Sequence, residues 1–108
     1  MINSRNQPIA IIKGDTLAFN VEFSDTSTVL SSAYFSAKQS YDDNSYVFRI
    51  SLNNGISQID NGVYKVRLAP SDTSSVTPGL YYYDLEVGIN SDIYTLMFGE
   101  INILPEVS

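Results

Sequence analysis

The stretch Pro78-Gly79-Leu80-Tyr81-Tyr82-Tyr83-Asp84 decides how the rest of this chain is read. Pro-Gly marks a turn, because Pro fixes its own φ and Gly accepts backbone angles that other residues avoid. A run rich in aromatic and aliphatic residues then extends to Ile89. Side chains along a strand point alternately to its two faces. Tyr81, Tyr83, Leu85 and Val87 are therefore expected on one face, a core face, with Tyr82, Asp84 and Glu86 on the other. The three tyrosines divide into two buried and one outward. Upstream, Pro70 ends a strand, and residues 71–77 form a crossover with one helical turn capped by Asp72.

The same period of two runs through most of the chain. Residues 9–13 form a first short strand after Pro8, and Gly14 and Asp15 then break or bulge the chain. Leu17, Phe19, Val21 and Phe23 alternate with Ala18, Asn20 and Glu22 in a half-buried second strand. Residues 33–38 set Phe35 between Ala33 and Ala37, with Tyr34 on the opposite face. Tyr46, Phe48, Ile50 and Leu52 alternate with Val47, Arg49 and Ser51. Asn53-Asn54-Gly55 and Asp60-Asn61-Gly62 read as hairpin turns, since Asn and Gly tolerate positive φ. Between and after them lie residues 56–59 and residues 63–69, the latter with Tyr64, Val66 and Leu68 inward. Asn90-Ser91-Asp92 makes the last hairpin before residues 93–104. There Tyr94, Leu96 and Phe98 are expected on one face and Ile101 and Ile103 on the other, with Gly99 marking a bulge that switches them.

About seven to eight short antiparallel strands with frequent turns and no convincing helix predict an all-β domain spanning residues 1–108. The expected architecture is an immunoglobulin-like β-sandwich, with a small β-barrel as the alternative. In such sandwiches a tyrosine soon after the crossover into the penultimate strand bonds the crossover backbone through its hydroxyl. Tyr81 fits that position. Tyr83 then takes the site two residues on, where antibody domains hold a cysteine. Both readings are structural, as are those of Pro78 and Gly79.

Composition excludes several kinds of chemistry. The chain has no His, which removes the commonest general base and every Ser-His or Cys-His arrangement. It has no Cys, so there is neither a disulfide nor a thiolate nucleophile or ligand. The net charge of −6 argues against nucleic acid and anionic membranes as partners. Residues 1–13 lack the pattern of a signal peptide, and no apolar run approaches the roughly 20 residues of a membrane span. The absence of cysteine favours assembly in a reducing cytoplasm.

Three constellations remain. Asp84 and Glu86, two apart, share a face and are the one carboxylate pair that suits acid-base chemistry on a glycoside. The plainer reading is a solvated strand face, and the chain is expected not to be an enzyme. Asp42-Asp43-Asn44 and Asp60-Asn61 offer oxygen atoms to calcium but lack a spaced calcium-loop pattern, and turn chemistry accounts for them. No cofactor or metal is expected. Tyr34, Tyr82 and Tyr94 are candidates for an exposed contact surface, for sugars or for a protein.

A resemblance adds to this. Ile12-Lys13-Gly14-Asp15-Thr16-Leu17-Ala18-Phe19, then Arg67-Leu68-Ala69-Pro70-Ser71-Asp72-Thr73 and the stretch from Pro78 to Leu85, are followed by Tyr94-Thr95-Leu96, Gly99 and Ile103-Leu104-Pro105-Glu106-Val107. In that order they resemble small proteins from the tail regions of phages and prophages of Gram-positive bacteria. The plan is also similar to the N-terminal immunoglobulin-like domain of upper baseplate proteins. The resemblance implies a virion structural component, made and assembled in the host cytoplasm, that contacts other tail or baseplate proteins, often as a homo-oligomer. The long C-terminal helical and receptor-binding portions of upper baseplate proteins have no counterpart here, which implies an accessory or connector role. A carbohydrate-binding or adhesion module using the exposed tyrosines is the alternative.

Overall fold

Among the described residues, the alternation of large apolar and polar residues becomes nine strands and one helical turn. The computed structural model describes residues 4–107; residues 1–3, part of the segment read for a signal peptide, and residue 108 lie outside it. The strands are β1 (Arg5–Asn6), β2 (Ile9–Ile12), β3 (Leu17–Glu22), β4 (Ser32–Lys38), β5 (Phe48–Leu52), β6 (Gly55–Asp60), β7 (Val63–Leu68), β8 (Gly79–Ile89) and β9 (Asp92–Leu104). The helical turn, α1 (Pro70–Thr73), lies between β7 and β8.

Hydrogen bonding follows the order β1-β9-β8-β4-β5-β6-β7-β3, with β2 also on β9. One layer comprises β1, β2, β9, β8, β4 and β5, and the other β6, β7 and β3. Among the described residues their strands pair with one another only where β5 meets β6, through Ser51↔Gly55 and Leu52↔Ile56. That pairing is parallel, so Asn53-Asn54-Gly55 is a corner between layers and not the expected hairpin. Asn53 (φ 66°) and Gly55 (φ 104°) supply the positive angles that the corner needs. A Cβ at residue 55 would lie 2.9 Å from the Ile50 Cβ, so the position excludes other side chains.

Phe35 shows that the layers face each other. It is fully buried, and its ring meets Phe19 of the opposite layer at 5.7 Å, edge to face. Phe48 and Tyr83 pack on it at 5.4 and 5.6 Å. Such aromatic pairs add about 0.5–1.5 kcal/mol each beyond the area they bury. Around them, Ile50, Ile56, Tyr64, Val66, Leu68, Leu85, Val87, Ile101 and Ile103 complete one buried cluster. The molecule is an immunoglobulin-like β-sandwich. Not every pair is antiparallel: β1 and β2 both run parallel to β9, and alternation gives no sign of the two-residue β1.

Tyr81 donates its hydroxyl proton to the Thr77 carbonyl, the corner bond expected of it. Asp72 does a related but different job from the one expected. The cap residue of α1 is Ala69, which has no side-chain acceptor. Asp72 sits three residues further on and accepts the Ala69 N–H through Oδ2 at 2.7 Å, the return half of a capping box. The buried Thr73 hydroxyl accepts the Gly14 N–H at 2.9 Å, tying the crossover to the turn after β2. No helix among the described residues is long and apolar enough to cross a membrane.

Candidate functional site

The outward face of the larger layer collects the polar and aromatic residues that alternation excludes from the core. Strand register sets them in rows. Phe98, Asp84, Ser36 and Arg49 lie side by side across β9, β8, β4 and β5. Thr95, Glu86, Tyr34 and Ser51 form the next row, and Glu100, Tyr82 and Lys38 flank the first on its other side. This face is concave. It encloses a groove of about 470 Å³, floored by Asp84, Glu86 and Ser36 and walled by Tyr34, Tyr41, Tyr46 and Tyr82. That volume falls within the ~300–1,000 Å³ usual for small-ligand sites.

Two stacks shape the walls. At one end the Tyr41 and Tyr82 rings are 4.7 Å apart and tilted by 31°. Across the sheet, the Arg49 guanidinium lies 4.1 Å from the centre of the Tyr34 ring, at the far end, and 4.5 Å from that of Tyr46, beside Lys38. Lys38 Nζ stands 5.1 Å from the Tyr46 ring. Each contact holds a cation on an aromatic face, worth about 0.5–1 kcal/mol when exposed. Two rings thus lie against the Arg49 guanidinium, whose five N–H donors lie along its planar edge.

The floor is electrostatically uncomfortable. Burial pushes the Asp84 carboxyl above its ordinary pKa, and the charge of Glu86 adds to the shift, while Lys38 and Arg49 pull against it. A carboxylate so placed is short of water and accepts hydrogen-bond donors readily.

The tyrosines expected on the surface do not stay together. Tyr34 and Tyr82 both line the groove, half-buried by their stacking partners. Tyr94 does not. It pairs with Val87 and packs half-buried against the core. The reason is the bulge, which falls at Leu96 and not at Gly99: Leu85 pairs with Met97 and Glu86 with Thr95, so one residue is skipped. The switch comes earlier than expected and turns Tyr94 inward. Gly99 stays in register opposite Tyr83 at φ 147°, where a Cβ would lie 3.2 Å from the Gln7 carbonyl oxygen.

Tyr83 faces the core and donates its hydroxyl proton to the Gln7 carbonyl, pinning the junction of β1 and β2 to the sheet. Burial pushes its phenol pKa up, with the charge of Arg5 acting against it. Pro78 is exposed, and Gly79 is already the first residue of β8, opposite Ile103. Asp15 donates its N–H to the Ile12 carbonyl at 3.0 Å, closing the turn that contains Gly14. Asp60 Oδ1 accepts the Asn61 N–H at 2.8 Å, and the Asp43 N–H reaches the Ser40 carbonyl at 3.1 Å. Among the described residues no three acidic side chains gather as a metal site would need.

Sequence reasoning misses Tyr41, Tyr46, Arg49, Lys38 and Phe98 as members of the groove. The parity of Arg49 against Phe48 and Ile50, and of Lys38 against Ala37, is a usable signal. Tyr41, in a loop, gives none.

No family model matches the chain, and no curated protein matches it. Among solved structures it is similar to the extracellular domain of the voltage-gated sodium channel beta4 subunit, which forms parallel homodimers with a role in cell-cell adhesion. The TM-score is 0.45 at 12% identity, covering 94% of this chain and 93% of that one. It is also similar to part of a family 123 glycoside hydrolase from Clostridium perfringens that acts on glycolipid glycans. There the TM-score is 0.42 at 12% identity, and 97% of this chain spans 23% of the hydrolase. At such scores neither likeness bears on what this domain binds.

Proposed function

We propose that this chain is a non-catalytic binding domain of a phage or prophage tail or baseplate, and that the groove across β9, β8, β4 and β5 is its recognition surface. The groove carries the reading: it brings four outward-facing tyrosines (Tyr34, Tyr41, Tyr46 and Tyr82), two cations and two carboxylates from separate strands and a loop into one concavity. The setting rests on the sequence resemblance, and the free edge of β3, paired only with β7, is available for assembly with other virion proteins or a second copy.

The layout of the carboxylates favours binding over hydrolysis. Glycosidases flank the scissile bond with their two carboxyls. Asp84 and Glu86 stand two residues apart on one floor strand and approach a ligand from the same side. Co-expression with proteins of a tail gene module, followed by pull-down and light scattering, tests the setting. Association with a tail protein is expected; a strict monomer that captures none of them overturns the assembly role. A double substitution of Tyr34 and Tyr82 by Ala tests the surface, since the proposal requires it to abolish ligand binding while the fold remains.

A further inference from the structure

We infer that the groove takes a neutral oligosaccharide, seated with the C–H face of one sugar ring on the Tyr82–Tyr41 pair and its hydroxyls on Asp84 and Glu86. This deepens the binding-domain reading and rests on the groove being the recognition surface.

Three features of the groove select this ligand class. The first is backbone saturation. β4 and β8 are each paired on both sides, so their N–H and C=O groups are spent within the sheet. A peptide captured as an added strand has no main-chain partner there. Recognition on this face has to be made by side chains.

The second is charge. Asp84 and Glu86 are offset by Lys38 and Arg49, so the groove is close to neutral on a molecule of net charge −6. A polyanion is repelled by the molecule as a whole, and a polycation meets Lys38 and Arg49 in the same groove as the carboxylates. A neutral ligand rich in hydroxyls meets no such opposition. Its O–H groups donate to the carboxylates, and its oxygens accept from the edge of Arg49 and from Lys38.

The third is the spacing of the walls. Tyr82 lies opposite Lys38 on β4, four residues along from Tyr34. At ~3.3 Å per residue the two aromatic ends stand about 13 Å apart, the reach of a short oligosaccharide and not of a single ring. Asp84 and Ser36 lie between them. Tyrosine suits such a wall, since its ring offers apolar area to C–H groups at a small cost in conformational entropy while its hydroxyl stays in water.

The test is an amide-shift titration of the isotope-labelled chain with neutral trisaccharides: cellotriose, maltotriose and N,N′,N″-triacetylchitotriose. The expected result is saturable shifts from at least one of them, confined to amides of β4, β5 and β8 around residues 34–38, 49 and 82–86. Affinity should fall about tenfold or more in both Tyr82→Ala and Asp84→Asn, and stay unchanged in Lys65→Ala, on the outer face of the other layer. Asp84→Asn keeps the test decisive if Tyr82→Ala fails to fold, because relieving the desolvated carboxylate does not weaken the structure. No saturable shift from any of the three up to on the order of 10 mM overturns the proposal, as do shifts that map away from the groove. If no saccharide binds but the double substitution of Tyr34 and Tyr82 abolishes capture of a tail protein, the saccharide inference falls while the recognition surface stands.

Discussion

At the scale of single residues, the tyrosine run shows how one residue type does three jobs within three positions. Tyr81 and Tyr83 each bury a ring and satisfy the hydroxyl with a backbone carbonyl, of Thr77 and Gln7 respectively. Tyr82 turns outward to stack on Tyr41. Tyr81→Phe keeps the ring and removes the donor to Thr77. The expected cost is about 0.5–1.5 kcal/mol, visible as a lower urea midpoint with an unchanged slope. An unaltered midpoint would show that the corner bond contributes nothing net. Asp84 behaves in the opposite sense. Its folded-state pKa is raised by burial and by Glu86, so the folded protein takes up that proton more readily than the unfolded chain does. Its contribution to stability is fully present below the unfolded pKa and is lost as pH rises through the folded value. Asp84→Asn should therefore melt higher than the parent at neutral pH, and the two should converge toward acid pH. Thermal melts of both across that range check the sign. A variant that melts lower at neutral pH contradicts it.

At the scale of elements, the alternation of apolar and polar residues makes β3, β4, β7 and β8 legible with nearly their observed bounds. β4, β7 and β8 each have one buried face and β3 a half-buried one, and burial fixes register because a slip by one residue would expose the whole set. Tyr64, expected inward, is buried as β7 requires, and its hydroxyl also accepts the Leu30 N–H at 2.9 Å. The corner at Asn53-Asn54-Gly55 looks like a hairpin in the sequence because its turn chemistry is the same in both settings. Only the partner across the turn differs, and the turn residues do not specify it. Gly55→Ala should cost about 1–3 kcal/mol, since it forces a side chain into positive φ and against Ile50. Gly79→Ala is the contrast. A Cβ there finds its nearest neighbour, Tyr81, at 3.9 Å, and the smaller entropy of the unfolded chain makes it neutral or stabilising by up to about 1 kcal/mol. Denaturant melts of the pair distinguish a glycine held by geometry from one that is merely tolerated.

At the scale of the molecule, the two layers share strand-to-strand hydrogen bonds, among the described residues, at one corner only, so the contacts across the core decide whether they stay closed. Phe35 is the centre of those contacts, reaching Phe19, Phe48 and Tyr83. Phe35→Ala is expected to cost about 3–5 kcal/mol, a large share of the 5–15 kcal/mol typical of a whole domain. Calorimetry should show a melting transition shifted far down or lost. A shift of only a few degrees would mean that the layers are held by something other than this cluster.

Local patterning is enough to establish the class of fold, the inward residues of the regular strands, the tyrosine corner and the exclusion of histidine and thiol chemistry. All of these follow from alternation, turn residues or composition, which can be read without knowing what packs against what. The groove is a product of tertiary pairing. Tyr41 meets Tyr82, and Arg49 lies between Tyr34 and Tyr46, because the pairing of β4 with β5 and β8 brings the outward positions of separate strands into rows and lays a loop residue beside them. The same pairing sets where the bulge in β9 falls, and with it the loss of Tyr94 from the surface. Bulge position and loop placement depend on what packs across the sheet, and alternation within one strand carries no record of its neighbours.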